Sequence, residues 1–151
     1  MIRNRFRGSS DHVLDDKGRL NFPARFRDVL RNRESEILII VPWRRYLRVY
    51  PIAEWEALEE KMYNDGPEID LDEGFVRYLL RNTIECTLDK QGRIRIPLKL
   101  KQAVGLKKEV TLSGMRNWVE IWDRDALLAD SVEAEAKFEE HEAQVRKLGT
   151  Y

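Results

Sequence analysis

The chain has 151 residues, of which 42% are hydrophobic and 36% are charged, and its formal net charge at neutral pH is zero. This length fits one ordinary domain or two small ones, and the hydrophobic fraction excludes a disordered chain. The longest apolar run, Ile37 to Val41, is far shorter than the roughly 20 residues of a membrane-spanning helix, so no membrane partner is expected. The single cysteine, Cys86, cannot form an internal disulfide, which indicates a cytoplasmic protein.

The neutral total conceals an uneven distribution of charge along the chain. Residues 1–50 contain twelve lysines and arginines against six acidic residues, a net charge of +6. Residues 120–151 contain four basic against nine acidic residues, a net charge of −5. Chance scatter could produce such segments, but arginine dominates the basic end, and its planar fork suits phosphate groups. The basic end therefore favours a polyanionic partner.

The first fifty residues predict a series of strands and one helix. The segment Asp15–Arg19 predicts a tight turn, because aspartate can bond neighbouring backbone amides and glycine can adopt positive φ. Pro23 then stops strand pairing and suits the start of a helix. In chain order we predict a strand at Val13–Leu14, this turn, a strand at Arg19–Phe22, a helix from Ala24 to about Leu30, and strands at Ile37–Val41 and Tyr46–Tyr50.

Two helices follow, at Ala53–Asn64, ending at Gly66-Pro67, and at Leu71–Arg81, and then the same order returns. A shift of 74 residues places Leu88–Pro97 on Leu14–Pro23, with leucine, aspartate, glycine, arginine and proline in place, and further along the shift becomes 72. The second unit predicts strands at Ile84–Leu88, Arg93–Ile96, Val110–Leu112 and Trp118–Trp122, a helix at Leu98 to about Val104, and finally a long acidic helix from about Asp125 to Leu148.

The duplication predicts the fold. A unit of some 45 residues is too small for a robust core, whereas two units can share one core about a pseudo-two-fold axis. The predicted class is therefore α+β and mainly β, with duplicated β-turn-β-α-β-β units in one barrel, both turns on the same side, and peripheral helices. The expected boundaries are 7–54 for the first unit, 55–82 for a helical linker, 83–126 for the second unit and 127–151 for the acidic C-terminal helix.

The duplicated motif Asp-x-x-Gly-Arg-apolar-x-apolar-Pro resembles that of the MraZ family, as do Phe6-Arg7-Gly8 near the start and Val41-Pro42-Trp43 in the middle. Each unit is similar to the SpoVT-AbrB swapped-hairpin domain, and the resemblance covers about residues 6 to 145. It implies a swapped-hairpin barrel in a bacterial transcriptional regulator of the division and cell-wall gene cluster. It further implies a repressor that binds repeated promoter elements in double-stranded DNA, as a ring-shaped homo-oligomer on the nucleoid.

The two turns carry the main candidate DNA-binding residues. Their aspartates and glycines are interpreted as structural: Asp15, Gly18, Asp89 and Gly92. The arginine that ends each turn can pair with its aspartate, or present its fork to phosphate or to a guanine edge. The resemblance favours DNA contact by Arg19. DNA contact by Arg93 is favoured less strongly, because the second turn has Gln91 at the position of Lys17 in the first turn.

Further basic residues belong to the same hypothesis. Arg5 and Arg7 flank Phe6 on a strand-like start, and we expect them on one face, beside Lys17 if the flanking strands pair as a hairpin. The four arginines of the first short helix are expected on a solvated face: Arg25, Arg27, Arg31 and Arg33. The candidate DNA-binding set is therefore Arg5, Arg7, Lys17, Arg19 and Arg93.

Other functional interpretations of the sequence have less support. Aromatic and basic residues alternate at 43–46, which could stack on single-stranded bases, but a place in the core or a subunit interface is preferred. Ser10, Asp11 and His12 are adjacent in sequence and give no triad geometry, so we expect no enzyme. Neither a cofactor nor a metal site is expected. An antitoxin-like protein-binding module of the same fold is the alternative, which a free C-terminal helix would favour.

Overall fold

The computed structural model describes residues 3–64 and 71–149, which form an α+β fold. The strands are β1 (Ser9–Val13), β2 (Arg19–Asn21), β3 (Leu38–Trp43), β4 (Tyr46–Pro51), β5 (Ile84–Cys86), β6 (Arg93–Arg95), β7 (Glu109–Gly114) and β8 (Val119–Asp123). The helices are α1 (Ala24–Asn32), α2 (Ile52–Asn64), α3 (Glu73–Arg81), α4 (Leu98–Val104), α5 (Arg124–Ala136) and α6 (Phe138–Arg146). The predicted helix end at Gly66-Pro67 lies outside the described residues.

The helix boundaries follow from local chemistry. Pro23 and Pro97 immediately precede α1 and α4, as predicted, with φ values of −54° and −61°. Gly105 ends α4 in the left-handed conformation, with a φ of 70°. Asp72 and Asp123 cap α3 and α5, because each carboxylate accepts a hydrogen bond from a backbone amide in the first turn.

Two expectations about the elements are wrong. Among the described residues the helices contain more residues than the strands, so the fold is α+β but not mainly β. The long C-terminal helix is two helices, because Lys137 leaves the helical conformation with φ −105° and ψ 13°. Neither glycine nor proline marks this break, and neither helix has a buried residue that would signal its packing.

The strands form an open sheet and a separate ribbon. Six strands lie in the order β1-β7-β8-β4-β3-β5, and β2 pairs with β6 in a two-stranded ribbon; every pairing is antiparallel. Within the described part of the chain β1 and β5 are the two edges of the sheet, so strand pairing does not close it into the expected barrel.

The pairing exchanges strands between the two repeat units. Strand β1 of the first unit pairs with β7 of the second, and β5 of the second unit pairs with β3 of the first. The two pairings have the same register under the repeat. Ser10 pairs with Leu112, and their repeat counterparts, Ile84 and Ile40, pair with each other. In the ribbon, Leu20 lies opposite its own repeat counterpart, Ile94. The two units are therefore related by a pseudo-two-fold axis through the ribbon.

One hydrophobic core is shared by both units, as the repeat predicted. It lies between the large sheet on one side and the ribbon, α1 and α4 on the other, and residues from both units fill it. Phe6, Phe22 and Phe26 are almost completely buried there and pack edge to face, with ring centroids 5.6 and 5.8 Å apart. Burying each phenylalanine contributes about 1.5–3 kcal/mol, so the core fixes the ribbon in place.

Candidate nucleic-acid interface

The first turn is a clasp built around the Asp15 carboxylate. Its Oδ1 accepts hydrogen bonds from the backbone amides of Lys17 and Arg19, at 2.9 and 2.8 Å. Its Oδ2 accepts a third from Nε of Arg19 at 2.7 Å. Gly18 adopts a φ of 78°, and its amide donates to the Asp15 carbonyl at 3.0 Å. A glycine is required here, because side chains strain this left-handed conformation.

The second turn reproduces the clasp. Asp89 accepts hydrogen bonds from the amides of Gln91 and Arg93, both at 2.9 Å, and from Nε of Arg93 at 2.8 Å. Gly92 has a φ of 76°. Because the same bonds hold both turns, each terminal arginine is fixed at the same place relative to its strand.

The clasps lower the pKa of both aspartates. The pKa of Asp15 is lowered to about 2, mainly by the hydrogen bond from the Arg19 backbone amide and further by the bond from the Arg19 side chain. The corresponding bonds from Arg93 hold the pKa of Asp89 below its usual value. In each arginine only Nε is engaged within the described residues, which leaves both Nη groups available to donate to a ligand.

The two turns lie at opposite ends of the β2–β6 ribbon. The Gly18 carbonyl accepts from the Ile96 amide at 2.8 Å, and the Gly92 carbonyl accepts from the Phe22 amide at 2.9 Å. The four residue-to-residue steps from Gly18 to Phe22 correspond to about 13 Å of strand. The pseudo-axis therefore runs between two equivalent turns that one rigid ribbon joins.

The ribbon presents a polar face to solvent. Alternate residues point to opposite sides of a strand, and Leu20 and Ile94 point into the core. The other face carries four side chains with good hydrogen-bonding donors: Arg19, Asn21, Arg93 and Arg95. Sequence reasoning missed Asn21 and Arg95, although the period-two alternation already placed them on the face opposite the apolar residues. A two-stranded ribbon of this kind fits the major groove of B-DNA.

The second turn has a more basic environment than sequence comparison suggested. A Cβ added at Gly92 would overlap Nη1 of Arg27, so the guanidinium of α1 lies directly against this turn. Lys90 stands where the first turn has Asp16, which offsets the exchange of Lys17 for Gln91. Arg27 and Lys90 therefore offset the loss of Lys17 on which the predicted rank of Arg19 above Arg93 depends.

An open groove of about 770 Å³ adjoins the second turn. Arg27 and Arg31 of α1 line one wall, and Lys90 lines the other. Asp89 is paired with Arg93 and Arg31 is paired with Asp28, so Arg27 and Lys90 face the single unpaired acidic group Glu36 in the described lining. The net charge of these walls suits a phosphate group.

Arg5 and Arg7 lie away from the turns, contrary to the hairpin expectation. Strand β1 pairs with β7 and not with β2, because the units exchange strands. Phe6 is hydrogen-bonded to Arg116 beyond one end of β1, whereas the first turn follows the other end. A five-residue strand spans about 17 Å, so Arg5 and Arg7 are not beside Lys17.

Two of the helix arginines donate hydrogen bonds to backbone carbonyls of the N-terminal segment. Arg33 is 13% exposed and donates to the Asn4 carbonyl at 2.8 Å, to Glu54 at 2.8 Å and to Asn117 at 2.9 Å. Arg25 donates to the Ser9 carbonyl at 2.7 Å. Arg33 therefore leaves the expected solvated face, whereas Arg25 and Arg31 are exposed and Arg27 is half-buried.

The aromatic residues pack within the chain. The guanidinium of Arg48 lies between the rings of Trp43 and Trp118, 4.0 and 4.4 Å from their centroids. It also donates to the hydroxyls of Tyr46 and Tyr50. These contacts belong to the face of the sheet that α2 and α3 cover, so the aromatic cluster has a structural role and is not an open platform for single-stranded bases.

The remaining reactive residues form no recognisable catalytic arrangement. Ser10 and His12 are hydrogen-bonded on β1, while Asp11 accepts from Thr111 at 2.7 Å and so does not orient His12. Burial raises the pKa of Cys86 to about 11, which disfavours its thiolate. In residues 3–64 and 71–149 there is no group of His, Cys, Asp and Glu able to hold a metal ion. No helix in these ranges is both long and apolar enough to cross a bilayer.

The repeat is also visible in a comparison with known families. The sequence model described as "MraZ protein, putative antitoxin-like" matches the chain twice, over residues 5–74 and 79–147. Each match contains one clasped turn and one strand of the ribbon. The match therefore covers both units of the duplication.

Curated relatives agree with this assignment over most of their length. The protein named Transcriptional regulator MraZ from Pediococcus pentosaceus is 38% identical over 135 residues, covering 89% of this chain and 92% of the relative. Relatives of the same name from Pelotomaculum thermopropionicum and Syntrophobacter fumaroxidans are 39% identical over 135 residues and 40% identical over 119 residues. They cover 89% and 79% of this chain, and 91% and 79% of the respective relatives. With its duplicated clasped turns and these matches, the chain belongs to the MraZ family.

Proposed function

We propose that this chain is a sequence-specific transcriptional regulator that binds double-stranded DNA through the β2–β6 ribbon and its two clasped turns. One observation carries the proposal: a rigid two-stranded ribbon presents three arginines and one asparagine on a solvent-facing side. These residue types form the strongest hydrogen-bonded contacts with base edges and phosphates. The names of the curated relatives are in keeping with it.

The mechanism follows from preorganisation. Each clasp fixes an arginine through Nε before DNA arrives, so little side-chain entropy is lost when its Nη groups bind. Lys17 and Lys90 lie at the turns and supply phosphate contacts, which add affinity on any sequence. Arg5 and Arg7, which lie beyond the far end of β1, contact DNA only outside the ribbon and contribute less.

The fold is proposed to be a swapped-hairpin arrangement of two SpoVT-AbrB-like units. The exchange of β1 and β5 between the units supports this reading. The proposed parts are 7–54 and 83–126 for the units, 55–82 for the linker and 127–151 for the acidic end. One molecule therefore contains one β2–β6 ribbon with a turn at each end, and the two strands of that ribbon differ in sequence.

The target and setting are proposed from the family resemblance. The chain acts as a repressor on repeated elements upstream of the division and cell-wall gene cluster, in the cytoplasm and on the nucleoid. It acts as a ring-shaped homo-oligomer. Exposed apolar side chains on the peripheral helices support self-association, and they include Tyr63, Phe75, Tyr78, Leu128, Val132 and Phe138. Native mass spectrometry of the full chain tests this part, and a monomer at micromolar concentration would contradict it.

DNA binding is tested by fluorescence anisotropy with the upstream region of the gene and a scrambled duplex of equal length. The wild type is expected to prefer the upstream region, and the double variant Arg19→Ala/Arg93→Ala is expected to lose that preference. The matched control is Arg77→Ala/Arg81→Ala, which removes the same charge from exposed positions of α3. Equal binding of both duplexes by the wild type would refute sequence-specific recognition.

An antitoxin-like protein-binding module is the alternative function. It is favoured by the largely exposed helices α5 and α6, which combine acidic residues with the exposed apolar side chains Leu128, Val132, Phe138, Val145 and Leu148. The family description also contains the word antitoxin-like. If the wild type binds no duplex, and removal of residues 138–151 abolishes co-purification with a single protein partner, this alternative replaces the first proposal.

A further inference from the structure

The solvent-facing side of the ribbon breaks the symmetry of the repeat at one pair of positions. Arg19 and Arg93 are repeat counterparts and are identical. Asn21 and Arg95 are also counterparts under the 74-residue shift, but they differ in chemistry. A protein with a true two-fold axis would present the same side chain at both places.

Asn21 and Arg95 are placed to meet a ligand. Both are exposed, whereas the residues before them, Leu20 and Ile94, are buried and hold the strands in register. The Asn21 amide makes no hydrogen bond within the described residues. Arg95 donates through Nε to the Lys17 carbonyl at 3.2 Å, which leaves its Nη groups free of partners in the same ranges.

Resting on the proposed function, we propose that Asn21 and Arg95 read base edges in the major groove, and that their difference makes the DNA element bound by one chain non-palindromic. The groove is about 12 Å wide and accepts a two-stranded ribbon. Asparagine pairs with the N6 and N7 edge of adenine, and arginine with the O6 and N7 edge of guanine.

The pseudo-two-fold symmetry of the ribbon determines the form of the DNA element. DNA sites mirror the two-fold symmetry of the proteins that bind them, which is why symmetric dimers bind palindromes. Here the two halves share the contacts of Arg19 and Arg93 and differ at the third residue of each strand. The half under β2 is therefore expected to contain an adenine where the half under β6 contains a guanine.

Asn21 and Arg95 are better suited to base reading than the clasped arginines. Nε of Arg19 and Nε of Arg93 are bound to aspartates, and their side chains are only 33% and 26% exposed. Asn21 lies opposite Arg93 and Arg95 lies opposite Arg19 across the ribbon, and neither Asn21 nor Arg95 has an acidic partner within the described part of the chain. They therefore discriminate between bases, while the turns fix the position of the ribbon on the backbone.

The test is selection from a pool of randomised duplexes with the purified full chain. The wild type is expected to select a non-palindromic element. Asn21→Ala and Arg95→Ala are each expected to lose discrimination of roughly 5- to 150-fold at one base pair and to keep it elsewhere. Asn21→Arg is expected to replace an adenine preference by guanine. Lys17→Ala, the phosphate-contact control, is expected to weaken binding of all sequences alike.

The outcomes separate this inference from the proposed function. A wild type that selects no sequence contradicts the proposed function itself. A wild type that selects a palindrome, or variants that keep every wild-type base preference, overturns the inference and leaves DNA binding standing. Equal weakening on all sequences by Arg95→Ala also overturns it, because that result reports phosphate contact or support of Lys17. Thermal unfolding of each variant tests whether the fold is retained. The Asn21 side chain has no hydrogen-bond partner in the described ranges, so we expect Asn21→Ala to change the unfolding temperature least.

Discussion

The guanidinium of Arg27, on helix α1 of the first repeat unit, lies against Gly92 in the clasped turn of the second unit. Strand exchange between the units creates this contact across 65 residues of sequence. Arg27 and Lys90 together place positive charge around the second turn. An arginine from the basic first unit therefore contributes charge to the turn of the second unit.

This contact changes the expected ranking of the two clasped arginines. Arg93→Ala is expected to weaken binding to the upstream DNA at least as strongly as Arg19→Ala, because Arg27 and Lys90 concentrate phosphate near Arg93. Binding isotherms at two salt concentrations measure both variants. A clearly larger loss for Arg19→Ala, as the exchange of Lys17 for Gln91 alone would suggest, would contradict the structural account.

The glycines of the turns are expected to differ in their tolerance of alanine. An added Cβ at Gly18 would overlap the Ile96 carbonyl oxygen, which belongs to the fixed ribbon, whereas at Gly92 it would overlap the movable Arg27 side chain. Both substitutions also meet the left-handed penalty of about 1–2 kcal/mol. Gly18→Ala is therefore expected to lower the free energy of unfolding more than Gly92→Ala does.

Gly105→Ala provides the control for this comparison. Gly105 has a φ of 70°, and no atom lies within 4 Å of an added Cβ, so the substitution carries the conformational penalty alone. Urea unfolding at neutral pH measures all three variants. Equal losses at the three positions would show that the backbone contact at Gly18 is unimportant.

The Asp15 clasp predicts a specific pH dependence of stability. Its folded pKa of about 2 lies below the unfolded value of about 3.9, so the charged clasp stabilises the fold above about pH 4 and loses that contribution as the pH falls from about 4 to about 2. Asp15→Asn should therefore be less stable than the wild type at pH 6, and the difference should shrink below pH 4.

Asp16→Asn serves as the matched control for this pH series, because Asp16 is exposed and makes no hydrogen bond within the described residues. Its stability should follow that of the wild type at each pH. Chemical unfolding between pH 3 and pH 7 gives the comparison. A constant difference between Asp15→Asn and the wild type across this range would show that the carboxylate charge is irrelevant to the turn.

Arg33 is expected to be a stability residue and not a DNA contact. Arg33→Ala removes hydrogen bonds to Asn4, Glu54 and Asn117 and leaves a part-buried carboxylate unpaired, at a cost of about 2–4 kcal/mol. Arg31→Ala, at an exposed position of the same helix, should change stability by about 0.5 kcal/mol or less. Similar unfolding curves for both variants would contradict this assignment.

Apart from β1, of which only Val13 was predicted as strand, and the helix break at Lys137, the sequence predicted the local elements because their signals are local. The repeated Asp-x-x-Gly-Arg turn, the prolines ahead of α1 and α4, and Gly105 at the end of α4 each act through a few neighbouring residues. The shared core also followed from the size of one unit.

Long-range pairing could not be read from these signals. Nothing in the residues of β1 indicates which strand it joins, so the exchange that separates Arg5 and Arg7 from Lys17 could not be predicted. The contact of Arg27 with Gly92 depends on the same exchange. Asn21 and Arg95 lie outside the turn motif, and only the period-two alternation of the two strands places them on the polar face.

The central claim, that the ribbon binds in the major groove, is tested most directly by competition between modified duplexes. The upstream element is prepared with 7-deazaguanine, which removes the N7 acceptor in the major groove, and separately with its minor groove occupied by netropsin. We expect the 7-deazaguanine duplex to bind the wild type about tenfold or more weakly, and the netropsin-treated duplex to bind normally. Unchanged affinity for the 7-deazaguanine duplex, with loss of binding in netropsin, would contradict the account.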